Sequence, residues 1–259
     1  MSLLSRERLV VSLAPERLNA VRLSGGWRPR LLDQQAVVLQ ASTPLWTAGL
    51  EAMELLLDDP AWSNLDLTLI LSGHYVRYAV LPKGEHLGAS EQADLARLIF
   101  RNIYGELARD WELRVSPNNR QPMLACGLPK ALLAALSAAC EGRATLQSIQ
   151  PGLMTVFNRA RPLIGRQRGT LAVVENGRIT LADIDAGQWQ TVSSRAWAAA
   201  ALPELLAETQ QLSGQENGGR LWLCDLTGQA VAPDSPAWRL ERLVAGAAGA
   251  ASLAGWGTA

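Results

Sequence analysis

From Leu9 to Leu71 the apolar positions fall into short runs whose order is strand, strand, strand, helix, strand. Leu9–Leu13 and Leu18–Leu23 are separated by a brief polar break, and Leu31–Leu39 follows the interruption at Gly25, Gly26 and Pro29, which predicts a three-stranded meander. Thr43 as N-cap with Pro44 in the first helical position then opens a helix. Trp46, Leu50, Met53 and Leu57 keep helical spacing until Pro60 ends it. Leu65–Leu71 alternates too weakly for a half-exposed strand and reads as one buried on both faces.

The same order returns further along the chain. Leu171–Val174 and Ile179–Ile184 flank Asn176 and Gly177, the pair favoured in a type I′ hairpin turn. Gln188–Ser193 supplies a third strand, a helical stretch runs from about Ala196 to Leu212, and Leu221–Cys224 closes the unit. A unit of meander, helix and strand that occurs twice predicts two duplicated lobes in an α/β protein with mixed sheets. The lobes are expected over 1–165 and 166–259.

Material without a counterpart fills the first lobe from about residue 73 to 120. Tyr75–Leu81 reads as a strand that ends at Pro82, with Tyr75, Arg77, Ala79 and Leu81 on one face. Ser90 caps a helix with Glu91 and Asp94 in its first turn, and Leu95, Ile99, Ile103 and Leu107 form its apolar stripe. Strands over Trp111–Val115 and Met123–Cys126, a helix over Pro129–Cys140 closed near Gly142, a strand over Leu146–Ile149 and a helix over Leu153–Ala160 complete the lobe.

Composition narrows the classes of function. With 24 basic and 24 acidic residues the formal net charge is zero, so no electrostatic footprint for nucleic acid or an anionic bilayer is expected. Cys126, Cys140 and Cys224 are odd in number and far apart, which indicates neither a disulfide framework nor a zinc cage and fits a reducing compartment. Met1–Arg8 breaks its leucine pair with charge, predicting no signal-peptide export, and no run reaches the roughly 18 apolar residues of a spanning helix. Leu243–Gly257 reads as a packed Ala/Gly helix.

Residue order carries a resemblance over nearly the whole chain. Ser12-Leu13-Ala14-Pro15-Glu16-Arg17-Leu18-Asn19-Ala20-Val21-Arg22-Leu23 is similar to the opening hairpin of the PilM family of type IV pilus assembly proteins and of the related GspL cytoplasmic domain. Tyr75–Pro82 with its capped helix resembles that family's inserted subdomain, and Gln147–Phe157 resembles the return to its core. The resemblance implies the actin-like ATPase fold, related to ribonuclease H. It also implies a cytoplasmic protein held at the inner membrane by the tail of a PilN-like partner, bound near Tyr75, Arg77, Tyr78, Leu81 and Pro82. A homodimer is compatible with it.

Departures from the pattern bear on chemistry. Nucleotide-binding members of the fold place a metal-holding Asp and a Gly-rich turn in the first hairpin, where this chain has Ser12, Ala14 and Pro15, with Asn19 on the returning strand. Proline offers no N–H to a phosphate and a Cβ obstructs its approach. The second hairpin carries Glu175, Asn176 and Gly177 in place of Asp-x-Gly-Gly, and Gly228 stands alone where the adenine side has paired glycines. These positions predict a degenerate nucleotide site, no cofactor, no resident metal and no catalysis. The alternative is an ATP-binding enzyme, an ATPase or small-molecule kinase, using Glu175 or Asp225 at a metal.

Several tempting residues have plainer readings. His74 and His86 lack carboxylates at ligand spacing and are expected at the surface or in caps. Asp58 with Asp59, and Asp183 with Asp185, read as solvated loop or strand ends. Of nine tryptophans, Trp46, Trp62, Trp111, Trp197, Trp222 and Trp238 are expected in the core, while Trp27 and Trp256 lie among glycines and are expected to be exposed anchors.

Overall fold

A computed structural model of the chain describes residues 6–82, 87–116, 122–198, 202–213, 219–230, 238–244 and 253–257. The first elements are β1 (Arg8–Ala14), β2 (Arg17–Leu23), β3 (Leu31–Val38), α1 (Thr47–Asp58) and β4 (Asp66–Leu71). They are followed by β5 (Arg77–Leu81), α2 (Ala89–Tyr104), a 3-10 turn over Gly105–Asp110, β6 (Trp111–Val115) and β7 (Met123–Pro129). Next come α3 (Lys130–Cys140), β8 (Thr145–Pro151), α4 (Gly152–Ile164), β9 (Gly169–Glu175), β10 (Arg178–Asp185) and β11 (Gln188–Ala196). Last are α5 (Leu202–Ser213), β12 (Gly219–Asp225), β13 (Trp238–Arg242) and α6 (Leu253–Trp256).

Two five-stranded sheets share one topology. Their orders are β3-β2-β1-β4-β8 and β11-β10-β9-β12-β13, each an antiparallel meander continued by two parallel strands. The correspondence reaches single hydrogen bonds. Leu39 N–H donates to Glu16 O at 2.8 Å and Trp197 N–H to Gly177 O at 3.1 Å, each from the residue after a third strand to the second residue of a hairpin turn. Ser72 N–H to Leu13 O at 3.0 Å matches Leu226 N–H to Val174 O at 2.9 Å. A single continuous parallel sheet, the arrangement of an ordinary α/β module, is not what these strands build.

The described residues pack as two compact units: Met1–Val76 with Leu128–Thr155 and Ala245–Ala259, and Arg77–Gly127 with Val156–Val244. The first sheet therefore has α6 in its unit. The second sheet has the three-stranded sheet β5-β7-β6 in its own, with β5 packed against β11. In the first unit α1 lies on the sheet face carrying Leu13, where a Cβ on Gly49 would meet the Leu13 side chain. In the second, Ala172, Val174, Ile179, Leu181, Leu221 and Leu223 form one core with Leu202 and Leu206 of α5.

Helix starts differ from the sequence expectation. Thr43 and Pro44 precede α1, which begins at Thr47: the Ser42 hydroxyl accepts the Ala48 N–H at 3.3 Å and donates to Pro44 O at 2.9 Å, so a turn held by Ser42 comes first. Ser90 lies inside α2, because Gly88 is the cap and its N–H donates to the Glu91 carboxylate at 2.8 Å. Asn176 and Gly177 make a two-residue turn, yet only Gly177 takes a left-handed φ, +70°, so the turn is not type I′.

The buried stripe of α2 is also displaced. Gln92, Ala96 and Phe100 face inward, whereas Leu95 and Ile99 are half-buried and Ile103 and Leu107 are 57% and 74% exposed. Both stripes keep a spacing of four and stand about 60° apart around the helix. Small Ala96 lets the helix approach β5 and β7, and Phe100 joins Tyr104 and Trp111 in an aromatic cluster with centroids 5.2–6.2 Å apart.

Trp256 is buried rather than exposed, at 3%. The small residues around it let α6 settle onto the first sheet: a Cβ on Gly257 would lie 2.5 Å from Ile70 and 2.9 Å from Val10, and one on Gly152 2.8 Å from Leu253. Trp27 is 93% exposed, as expected. His86 and 245–252 of the Ala/Gly segment lie outside the described residues.

Gly169 of β9 leaves no room for a side chain. A Cβ there would stand 2.5 Å from Arg220 O and 2.8–2.9 Å from the Trp222 ring. Backbone cannot swing aside as a side-chain tip can, so Gly169→Ala forces β9 and β12 apart. The expected result in urea titration is a loss of about 2 kcal/mol, with a parallel fall in midpoint.

Candidate functional site

The residues of the expected nucleotide positions occupy matching places in the two sheets. In β1, Val10, Ser12 and Ala14 alternate onto the face opposite α1, and in β9, Leu171, Val173 and Glu175 alternate onto the face opposite α5. Each strand ends in a two-residue turn, Pro15–Glu16 closing Ala14 against Arg17, and Asn176–Gly177 closing Glu175 against Arg178.

At the Ser12 position of the first hairpin the chemistry is neutral. Ser12 is buried, and its hydroxyl accepts a long 3.5 Å hydrogen bond from the Asn19 amide directly across the ladder. A hydroxyl facing an amide carries no charge to hold a hard divalent cation, which takes carboxylate and carbonyl oxygens. Within this turn Pro15 supplies no N–H.

At the second hairpin charge is present but committed. Glu175 is 5% exposed and directly opposite Arg178. Desolvation lowers the Arg178 pKa, Arg77 adds to that effect, and Glu175 opposes it. Arg178 also donates to the Ser194 hydroxyl at 3.1 Å. The Cys224 thiol is held well above its usual range by burial and by the nearby Glu175 and Asp225 charges, and burial pushes Cys126 to about 11. Neither thiol is a nucleophile at neutral pH.

Asp225 ends β12 and organises the residues after it. Its Oδ1 accepts the Thr227 N–H at 2.9 Å, the Thr227 hydroxyl at 2.8 Å and the Gly228 N–H at 3.0 Å, while Oδ2 accepts the Ala230 N–H at 3.0 Å. Arg242 stands 3.9 Å away. Burial pushes the carboxyl up, but these donors outweigh it and hold the pKa below the ordinary value. Gly228, at φ +70°, closes this loop. From sequence this segment offers a lone glycine, Gly228, and in Asp225 an alternative acid for a metal. The Asp225, Thr227, Gly228 spacing is itself the signal of a carboxylate folding its own loop.

Asp183 is buried and accepts 2.7 Å hydrogen bonds from Thr170 and Thr191, so it is a packed sheet residue rather than a solvated strand end. Asp58 meets Arg143 at 2.6 Å. His74 N–H donates to the Ser72 hydroxyl at 3.1 Å, in the turn before β5. Among the described residues no cluster of His, Cys, Asp and Glu has the makings of a metal site.

The expected partner-binding residues divide between the two units. Tyr75 lies in a turn ahead of β5, is 4% exposed, and donates its hydroxyl to Leu45 O at 3.3 Å. Tyr78 and Leu81 are buried as well, and Tyr78 O accepts the Tyr104 hydroxyl at 2.8 Å. Arg77 is half-exposed and Pro82 exposed. The strand begins at Arg77, two residues later than its alternation suggests. Sequence reasoning missed Arg178, although its place opposite Glu175 follows from the two-residue turn.

No family model matches the sequence, and no curated protein matches it. Solved structures do. The chain is similar to the cytoplasmic domain of EpsL, an inner membrane component of the type II secretion system of Vibrio cholerae, at 14% identity and a TM-score of 0.62, over 92% of this chain and 90% of that one. It is similar to a Bacteroides thetaiotaomicron protein with an actin-like ATPase fold, at 11% identity and a TM-score of 0.59, over 86% and 84% of the two chains. It is similar to the PilM–PilN type IV pilus biogenesis complex at 11% identity and a TM-score of 0.55, over 79% of this chain and 66% of that chain. Taken with the duplicated sheet order, these likenesses give the chain the actin-like ATPase fold.

Proposed function

We propose that this chain is a non-catalytic scaffold of a type IV pilus or type II secretion-like machine, binding the cytoplasmic tail of an inner-membrane protein of the PilN kind. In this reading it works in the cytoplasm, peripherally attached to the inner membrane through that partner, with lobes 1–165 and 166–259. The likenesses to the EpsL domain and the PilM–PilN complex support the machine. Among the described residues no helix is long and apolar enough to cross a membrane.

The observation that carries the loss of nucleotide chemistry is the neutral Ser12–Asn19 pair beneath a turn containing Pro15. Asp225 supports it from the second sheet, since both its oxygens already accept local donors. Partner docking is assigned to the segment Tyr75, Arg77, Tyr78, Leu81 and Pro82, with Arg77 and Pro82 as its accessible members.

Calorimetry with ATP and Mg²⁺ is expected to give no binding at micromolar concentration, and micromolar affinity would return the ATP-binding enzyme to first place. Peptides from the cytoplasmic tails of membrane proteins encoded beside this chain are expected to be retained by it. Arg77→Glu should weaken retention at least tenfold, with the thermal midpoint measured alongside to separate lost docking from lost folding. Retention of none of the peptides would count against the partner.

A further inference from the structure

The two sheets have equivalent edge strands with different fates. In the second sheet the edge strand β11 has β5 packed against it. In the first sheet the edge strand β3 is hydrogen-bonded to β2 alone, and no described strand pairs with its outer side. Along β3 every residue except Val37 is exposed, with Leu31, Leu32 and Val38 at 39%, 49% and 80%, and Trp27 at 93% in the turn before it. Long edges are usually guarded by lysine, proline or shortness. This one has eight residues, no lysine, no proline and the single charge of Asp33.

Backbone alternation identifies the groups that are offered. The Leu39 N–H bond to Glu16 O places Leu39, and by alternation Val37, Gln35 and Asp33, in bonding to β2. Gln34, Ala36 and Val38 therefore direct their N–H and C=O groups away from the sheet. An independent contact agrees: the Gln34 N–H is taken up by the Asp33 carboxylate at 2.8 Å, on the outer side.

We propose that β3 is a self-association edge, pairing antiparallel with β3 of a second copy of this chain about a two-fold axis through Gln35. Opposed residues in an antiparallel ladder must both point toward each other or both away, so a two-fold axis can pass only through a residue paired with itself. An axis at Gln35 sets Gln34 against Ala36 twice, giving four backbone hydrogen bonds, with Asp33 against Val37. No like charges are opposed. It also brings Leu32 to Val38 and Leu31 to Leu39, so the exposed apolar ends cover each other. An axis at Gln34 would set Arg30 against Val38 instead. The Trp27 turn of one copy then lies beside residues 39–45 of the other, where Leu45 is 50% exposed. The zero net charge of the chain adds no overall repulsion. The Asp33 carboxylate yields the Gln34 N–H to the incoming carbonyl.

An interface of two edge strands is small, so a dimer with dissociation constant of about 1–50 µM is expected by sedimentation of the full chain. Ala36→Pro removes only an outward N–H, leaves the β2 ladder intact, and should weaken the dimer at least tenfold. Gln35→Cys in a Cys126→Ser background should give a disulfide-linked dimer under mild oxidation, because a non-hydrogen-bonded pair brings Cβ atoms within reach. Far-ultraviolet circular dichroism separates lost association from lost folding, and the gain of a crosslink does not depend on the proline variant. A wild-type chain that stays monomeric at about 200 µM, together with no crosslink from the Gln35→Cys variant, overturns the proposal and leaves the edge to another protein's strand. A dimer untouched by Ala36→Pro and uncrosslinked at Gln35 overturns it too, by placing association elsewhere.

Discussion

Trp222→Ala is expected to destabilise the chain by about 4 kcal/mol, the largest effect of any single truncation in the second sheet. Trp222 lies on β12 with no exposed surface, on the face opposite α5, with its ring over the Gly169 backbone. The backbone beneath is held by sheet pairing on both sides of β12, to β9 and β13, so the vacated volume cannot collapse. Trp222→Phe should cost less than half as much. Phenylalanine keeps most of the apolar area and removes the indole N–H, which is buried without an acceptor among the described residues. Urea titrations of the three proteins check this, and equal losses for Ala and Phe would show that the indole N–H is satisfied.

Asp225→Ala should lower stability by about 3 kcal/mol and free the segment from Leu226 to Ala230, because three backbone N–H groups and the Thr227 hydroxyl lose one common acceptor. Amide hydrogen exchange at Thr227, Gly228 and Ala230 should accelerate by at least tenfold while β9 and β10 stay protected. The pH dependence has a defined sign. The folded pKa lies below the unfolded one, so the stabilisation is complete above the unfolded pKa of about 4 and is lost as pH falls through the folded value. Wild type should therefore lose stability below about pH 4 more steeply than Asp225→Ala. Equal slopes would mean that the carboxylate is not the organising group. If Asp225 instead held a metal in an enzyme, its loss would change nucleotide binding rather than the loop.

Local pattern made the fold legible where the period of a strand was enforced by burial. The meanders β1–β3 and β9–β11 were readable because their apolar runs end at Pro15 and at Asn176–Gly177, turn residues that leave few alternatives. Helix ends were less legible. Thr43–Pro44 has the local chemistry of a start, yet the Ser42 hydroxyl competes for the same first turn, and spacing does not arbitrate between two caps. In α2 two stripes of equal period were available, and contact with β5 and β7 selected the one with Ala96 and Phe100. Trp256 shows the same limit, since Gly and Ala around a tryptophan are as compatible with exposure as with the close approach that Gly257 permits at Val10 and Ile70.

The sequence by itself determined the doubled order of strands and helices, the absence of charge at Ser12 and the absence of a donor at Pro15, because these depend on residue identity and on neighbours within a few positions. Only the tertiary structure decided that Asp225 is consumed by its own loop, that Tyr75, Tyr78 and Leu81 are largely covered, and that β5 packs against β11 while no described strand pairs with the outer side of β3. Those outcomes depend on which segments, far apart in the chain, bury one another's surface, and no local spacing encodes that choice.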